Sequence, residues 1–172
     1  MKKLKYWLLL IILFMGAFSA APAQQKKINS DMAKFFAGSW TGAGEFANGK
    51  KIEADVSFYL SVDSTSLINI YADKAPNRYK ATSAWTLGAD GIMIAHIINN
   101  FTGLKDFTSD GWQSNKIVLI NKEPYQNKGM LYQQFTFEKI DDDHFKVTYV
   151  YGLDPAKLKE GDHLIFSRSK PE

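Results

Sequence analysis

The chain has 172 residues, with 21 Lys and Arg, 18 Asp and Glu, and no Cys. Without cysteine there can be no disulfide, no Cys-ligated metal and no lipid-modified Cys of the kind that tethers exported bacterial lipoproteins. Lys2, Lys3 and Lys5 account for the whole formal charge of +3, and from Gln24 onward 18 basic side chains face 18 acidic ones. Charge therefore makes no case for nucleic acid or an anionic membrane surface as a partner.

The first elements form a targeting pattern. Lys2, Lys3 and Lys5 precede an apolar run from Tyr6 to Phe18, and small residues then end in Ala21-Pro22-Ala23. This is the order of a secretory signal peptide, and it predicts cleavage after Ala23 with export to the periplasm or the medium. The strongly apolar core is about a dozen residues, short of the roughly 20 that a spanning helix needs, so no stable membrane span is expected after cleavage. Removing 23 of 172 residues leaves 149, enough for one domain with a core of its own. Residues 24–29 read as a flexible tail and 30–170 as the domain.

Next, Ser30 to Gly38 reads as one or two helical turns. Ser30 is placed to cap, Gly38 to terminate, and Met32, Phe35 and Phe36 share a face. Beyond it the chain becomes a series of short strands. "KKIEADVSFYL" places Ile52, Ala54, Val56, Phe58 and Leu60 on one face, and Asn48-Gly49 before it predicts a type I′ hairpin turn. Strands follow at "SLINIYAD", "YKATSAWTL", "GIMIAHII", "KDFTS", "KIVLIN", "MLYQQFTFEK", "FKVTYVY" and "HLIFSRS", separated by turn formers. "LDPAKLKEGD" is the one later segment with helix signals, a capping Asp154, Pro155 and a terminating Gly161. The fold class is all-β: a closed antiparallel barrel of about ten strands with a short N-terminal helical plug.

In "GSWTGAGEF" the period of two puts Trp40, Gly42, Gly44 and Phe46 on one face. Glycines there let a strand bend or another group approach its backbone, as the first strand of a barrel must. Gly38-x-Trp40 after a short helix resembles the first-strand signature of the calycin superfamily, the lipocalins and fatty-acid-binding proteins. That resemblance implies a basic residue on the last strand packed over the Trp. Arg168, one of only two arginines, lies on the final predicted strand, so Trp40 and Arg168 are the expected closure pair. The segment "NNFTGLKDFTSDGW" is similar to uncharacterised secreted lipocalin-like bacterial proteins. The longer Gly38-x-Trp40-x-Gly42-x-Gly44 also resembles nitrobindin-type haem barrels, which implies an axial His on the last strand. His163 starts that strand, but its parity is opposite to that of Leu164 and Phe166.

The apolar faces supply a candidate cavity lining of Val56, Phe58, Ile70, Trp85, Ile94, Phe135, Phe137, Val147 and Tyr149. His96 and Gln133 share those faces and are the candidate polar contacts. Arg78 follows Ala75-Pro76-Asn77, a turn, so solvent exposure competes with a role as carboxylate anchor. The three histidines lie far apart, neither H-E-x-x-H nor G-x-S-x-G occurs, and Asp141-Asp142-Asp143-His144 reads as a solvated turn. No catalytic residue, metal site or cofactor is expected, His163 being a ligand only on the haem reading. The expectation is an exported binding protein for a small apolar or amphipathic, lipid-like molecule. A haem barrel and a protein-interaction module using Trp112 and Tyr125 at one rim are the alternatives; the sequence leaves the oligomeric state open.

Overall fold

Asn29 opens the fold by capping a short helix, α1 (Ser30–Phe36), its Oδ1 accepting hydrogen bonds from the backbone N–H groups of Asp31 and Met32 at 3.0 and 2.9 Å. The cap thus falls one residue before the Ser30 that the sequence suggested. The computed structural model describes residues 27–169; the signal peptide with its cleavage after Ala23, and the tail up to residue 26, lie outside the described residues. Met32, Phe35 and Phe36 are buried, as their spacing requires.

Ten strands follow: β1 (Gly38–Phe46), β2 (Lys51–Leu60), β3 (Ser66–Asp73), β4 (Lys80–Leu87), β5 (Met93–Asn99), β6 (Gly103–Ser109), β7 (Lys116–Pro124), β8 (Met130–Lys139), β9 (His144–Gly152) and β10 (Lys159–Arg168). Each pairs antiparallel with its sequence neighbours, and β10 returns to β1, closing the barrel. The expected fold class holds. Two local expectations do not. Residues 153–158 form bends and a turn, not a helix, because β10 already begins at Lys159 and Gly161 sits at its bulge. A Cβ at Gly161 would meet the Tyr149 ring at 2.7 Å. In the β1–β2 hairpin only Gly49 takes a positive φ, +79°. Gly49 N–H donates to Phe46 O, and Phe46 N–H to Lys50 O, so the turn is a loop closed by a left-handed Gly in place of a type I′ pair.

The glycines of β1 answer to close packing against β10. Gly42 pairs with Phe166, whose ring would lie 2.5 Å from an added Cβ, and at Gly44 a Cβ would lie 1.8 Å from the carbonyl oxygen of His163. Arg168 completes the closure. Trp40 and Arg168 are register partners, with the guanidinium 4.0 Å from the indole centroid. Arg168 also donates to Ala37 O (2.9 Å), Phe35 O (2.8 Å) and Asp142 O (3.2 Å). Two of these are carbonyls at the end of α1 that the helix itself leaves without a donor. One cation therefore ties together first strand, last strand, plug and β8–β9 turn.

Plug and floor are solid. Phe36 packs on Phe58, Phe145 and Trp85 at centroid distances of 4.9, 5.3 and 5.8 Å, and Trp40 packs on Phe145 at 4.8 Å. The Trp40 indole N–H donates to Phe36 O at 2.8 Å. Trp112, from the β6–β7 loop, lies against Phe35 and Phe36. It covers the plug end of the barrel and not the cup mouth, whereas Tyr125 belongs to the β7–β8 loop at the other end. The two aromatics do not form one rim surface.

Candidate functional site

Above the floor the barrel is hollow. A cavity of about 460 Å³ runs from Trp85, Phe137, Phe145 and Phe166 up to the loops opposite the plug, where exposed Phe101 and Thr102, with Arg78 beside them, mark its mouth. Its walls mix apolar side chains, Ile52, Val56, Ile97, Phe107, Phe135, Val147 and Leu164, with polar ones, Asn69, Tyr71, Asp73, Ser83, Lys105, Gln133, Tyr149 and Asp162, of which Asp73 and Asp162 stand towards the mouth ends of β3 and β10.

Seven of the residues expected from sequence line this space: Val56, Trp85, Gln133, Phe135, Phe137, Val147 and Tyr149. Four do not. Phe58 is interior but lies below the cavity, spent on Phe36 and Trp85. Ile70, Ile94 and His96 face outward. On β3 the interior set is Leu67, Asn69, Tyr71 and Asp73, leaving Ile70 47% exposed. On β5 the buried set is Met93, Ala95 and Ile97, which puts Ile94 and His96 on the outer wall, where His96 Nδ1 lies 2.7 Å from Asp106 Oδ1 of β6. Both strands carry apolar residues on both faces, so the face richer in isoleucine is not the interior one.

Gln133 points inward, yet both ends of its amide are engaged. Its Oε1 accepts from Tyr149 OH at 3.0 Å and from Lys105 Nζ at 3.4 Å, and its Nε2 donates to Asn121 Oδ1 and Glu123 Oε1 at 3.0 and 3.1 Å. Lys105 in turn sits 2.5 Å from Glu123. This network fills a gap in the sheet: β6 and β7 share only the pair Thr108–Ile120. Towards the mouth, Asn121 Nδ2 donates to Asp106 O at 2.8 Å and the Lys105–Glu123 pair spans the seam. Gln133 is the centre of a side-chain ladder that replaces backbone pairing; its role is to complete the wall.

The acidic side of the mouth is built differently. Asp73 is held by two donors, Tyr71 OH at 2.8 Å and the Tyr79 backbone N–H at 3.2 Å. Burial nevertheless raises its carboxyl above the ordinary range. Asp162 faces the same space from β10, between Tyr149 of β9 and Phe46 of β1. Among the described residues its side chain has no hydrogen-bond or ion-pair partner. Burial pushes it up to about 6, the charges of Asp73 and Glu160 add to that, and His163 opposes it. Tyr71, Tyr79 and Tyr149 are raised as well, chiefly by burial, Tyr79 to about 12, so all three phenols keep their protons at neutral pH. Asp73 and Asp162 were missed from sequence because an acid beside a turn reads as solvated; their inward parity with Leu67 and Leu164 was the available signal.

The remaining candidates fall outside the cavity or at its edge. Arg78 stands at the rim, and Asn100 ties the backbone of its loop to the β5–β6 turn, accepting from Lys80 N–H and donating to Arg78 O. His163 faces outward, its Nδ1 2.7 Å from Glu160. His144 is bound to Asp141 in an exposed turn. With His96 also outside, no histidine among the described residues is presented to the cavity, and the axial ligand that the haem reading needs is not there. The three acids of the β8–β9 turn point to three partners, Asp141 to His144, Asp142 to Lys139 and Asp143 to Arg168, which makes them a turn and not a chelate.

No protein-family model matches the chain, and no curated protein matches it. Among solved structures it is similar to a redesigned β-barrel, 12% identical over 80% of this chain and 95% of that one, with a TM-score of 0.37. The class defined by fold and site together is a closed ten-stranded antiparallel β-barrel with a hollow, aromatic-floored interior open at one end.

Proposed function

We propose that this is an exported binding protein, calycin-like in design, that holds a small apolar or amphipathic molecule non-covalently inside the barrel. The observation that carries the reading is the cavity of about 460 Å³, aromatic at its floor and with Asp73 and Asp162 towards its mouth, which lies within the size range of small-molecule sites. The leader sequence supports export, and the first-strand motif with its last-strand arginine supports the calycin resemblance. An alkyl or aryl portion seated on Trp85, Phe137 and Phe145 gains free energy by leaving water, about 25 cal/mol per Å². Polar groups at the mouth orient the other end.

A series of straight-chain alcohols measured by calorimetry tests this. Each added methylene strengthens binding about fourfold, corresponding to about 0.8 kcal/mol, until the cavity is full. Val147→Trp, which fills the middle of the cavity, brings that limit to shorter chains. Absence of binding across the series, or affinity independent of chain length, would overturn the proposal.

A further inference from the structure

The charged groups at the mouth that could serve a ligand are not equivalent. Lys105 is neutralised by Glu123 and held by Gln133, so it offers no free charge. Arg78 stands at the rim, where solvent and salt screen its charge. Asp73 has both oxygens engaged, by Tyr71 and Tyr79. Asp162 alone is a cavity-facing carboxylate with no donor from the described residues, and it feels the charge of Asp73 across the same space. A half-buried carboxylate without a partner is costly to ionise unless a cation or a set of donors meets it.

The surroundings specify what kind of donor. Asp162 pairs across the sheet with Tyr149 on one side and Phe46 on the other. Tyr71 and Tyr79 line the same cavity. Tyr71 packs on Tyr79 at 5.6 Å and Tyr79 stacks with Phe101 at 6.0 Å. Two carboxylates and three tyrosines lining one cavity form an environment suited to an organic cation, through charge and ring quadrupole together. An anionic head group would instead meet two carboxylates.

Resting on the carrier reading above, we propose that the ligand's head group is cationic: an alkylammonium whose N–H donors satisfy Asp162 and whose charge is shared with Asp73 and the tyrosine rings, with the hydrocarbon running down to Trp85 and Phe137. Charge-assisted hydrogen bonds in a partly dry site are the strong ones, so the preference should be at least about tenfold.

The test compares decylamine, decanol and decanoate, below micelle-forming concentrations at pH 7.5, by calorimetry on the wild type and Asp162→Asn. Decylamine should bind at least tenfold more tightly than decanol, with decanoate weakest, and the amine's advantage should vanish in Asp162→Asn while decanol affinity is kept. Equal affinity for the three, or decanoate tightest, overturns the cationic-head assignment and leaves the apolar carrier standing; no binding of any of the three sinks the carrier reading itself. Should Asp162→Asn fail to fold, the wild type decides alone. Its amine affinity should fall between pH 7.5 and 5 as Asp162 takes up a proton beside Asp73, Glu160 and His163, while decanol affinity stays level. A flat amine profile refutes the assignment.

Discussion

Replacing Asp162 with an amide should stabilise the protein at neutral pH and leave it unchanged in acid. The Asp162 carboxyl, raised by burial and by its acidic neighbours, titrates at about 6 in the folded chain, against about 3.9 for an unperturbed Asp. The difference is about two pK units, and at about 1.36 kcal/mol per unit ionising this group inside the barrel costs the fold about 3 kcal/mol. The sign follows from which state binds the proton more tightly. Because the folded value is the higher one, the folded chain is favoured by protonation. The stabilising contribution is complete below about pH 4 and lost as pH rises through 6. An amide has no such dependence. Urea denaturation of wild type and Asp162→Asn, from pH 4 to 8, should give curves that coincide near pH 4 and separate by about 2–3 kcal/mol above pH 7, with the variant the more stable. In thermal unfolding that is about 4–12 °C for a domain of this size. Asp73 titrates beside Asp162, so the measured gap belongs to the pair. Parallel curves across this range, or a variant less stable than wild type at pH 7.5, would refute the assignment of Asp162 to a desolvated, unpartnered position.

Substitutions at four further positions separate architecture from binding. Arg168→Met removes the donors to Phe35 O, Ala37 O and Asp142 O while keeping an apolar stem over Trp40; about 2–4 kcal/mol should be lost in chemical denaturation, with Arg168→Lys only a partial rescue because an ammonium lacks the planar fork. Gly44→Ala drives a Cβ to 1.8 Å from the His163 carbonyl, so β1 and β10 must separate, and circular dichroism should show a molecule unable to close; Gly49→Ala, with open space around it, should cost only about 1 kcal/mol through its positive φ. Gln133→Met leaves Asn121, Glu123 and Tyr149 short of partners and should cost about 2–3 kcal/mol with little change in decanol affinity, the outcome expected of a wall residue. A large loss of affinity without loss of stability would instead make Gln133 a ligand contact.

The strand pattern was legible because nearly every segment is bounded by Gly, Asn, Asp or Pro, and because Trp40, Gly42 and Gly44 mark a strand that must lie close against its partner. Which face points inward was legible only in part. In β2 the alternation of Ile52, Ala54 and Val56 with Glu53 and Asp55 admits one solution. In β5 Ile94 and Ile98 compete with Met93, Ala95 and Ile97, and the latter set is inside, where Ala95 is the register partner of buried Trp85. In β3 hydrophobicity actively misleads. The cavity wall carries polar groups, so Asn69 and Asp73 point in and Ile70 points out. A rule that equates the apolar face with the interior is sound for a filled core and fails where the interior is a cavity with polar groups in its wall.

The two ends of the barrel divide the physical work. At the plug end every strong interaction is between parts of the chain: stacked aromatics, a capped helix, and one guanidinium satisfying three carbonyls. At the mouth end the β6–β7 wall is sustained by side chains, and Asp162 faces the cavity with no partner among the described residues. Both observations have the same cause. Strand closure at Trp40 and Arg168 does not depend on what fills the upper barrel, so the upper barrel can tolerate a group that lowers stability. A destabilising carboxylate with no partner of its own is what a site built around an incoming cation would carry before that cation arrives, since a carboxylate already paired by the protein would have to give up its partner to bind. If Asp162→Asn raises stability and abolishes amine preference together, the two effects are one; if it raises stability and leaves the amine preference intact, the acid is retained for a reason unconnected with the cavity.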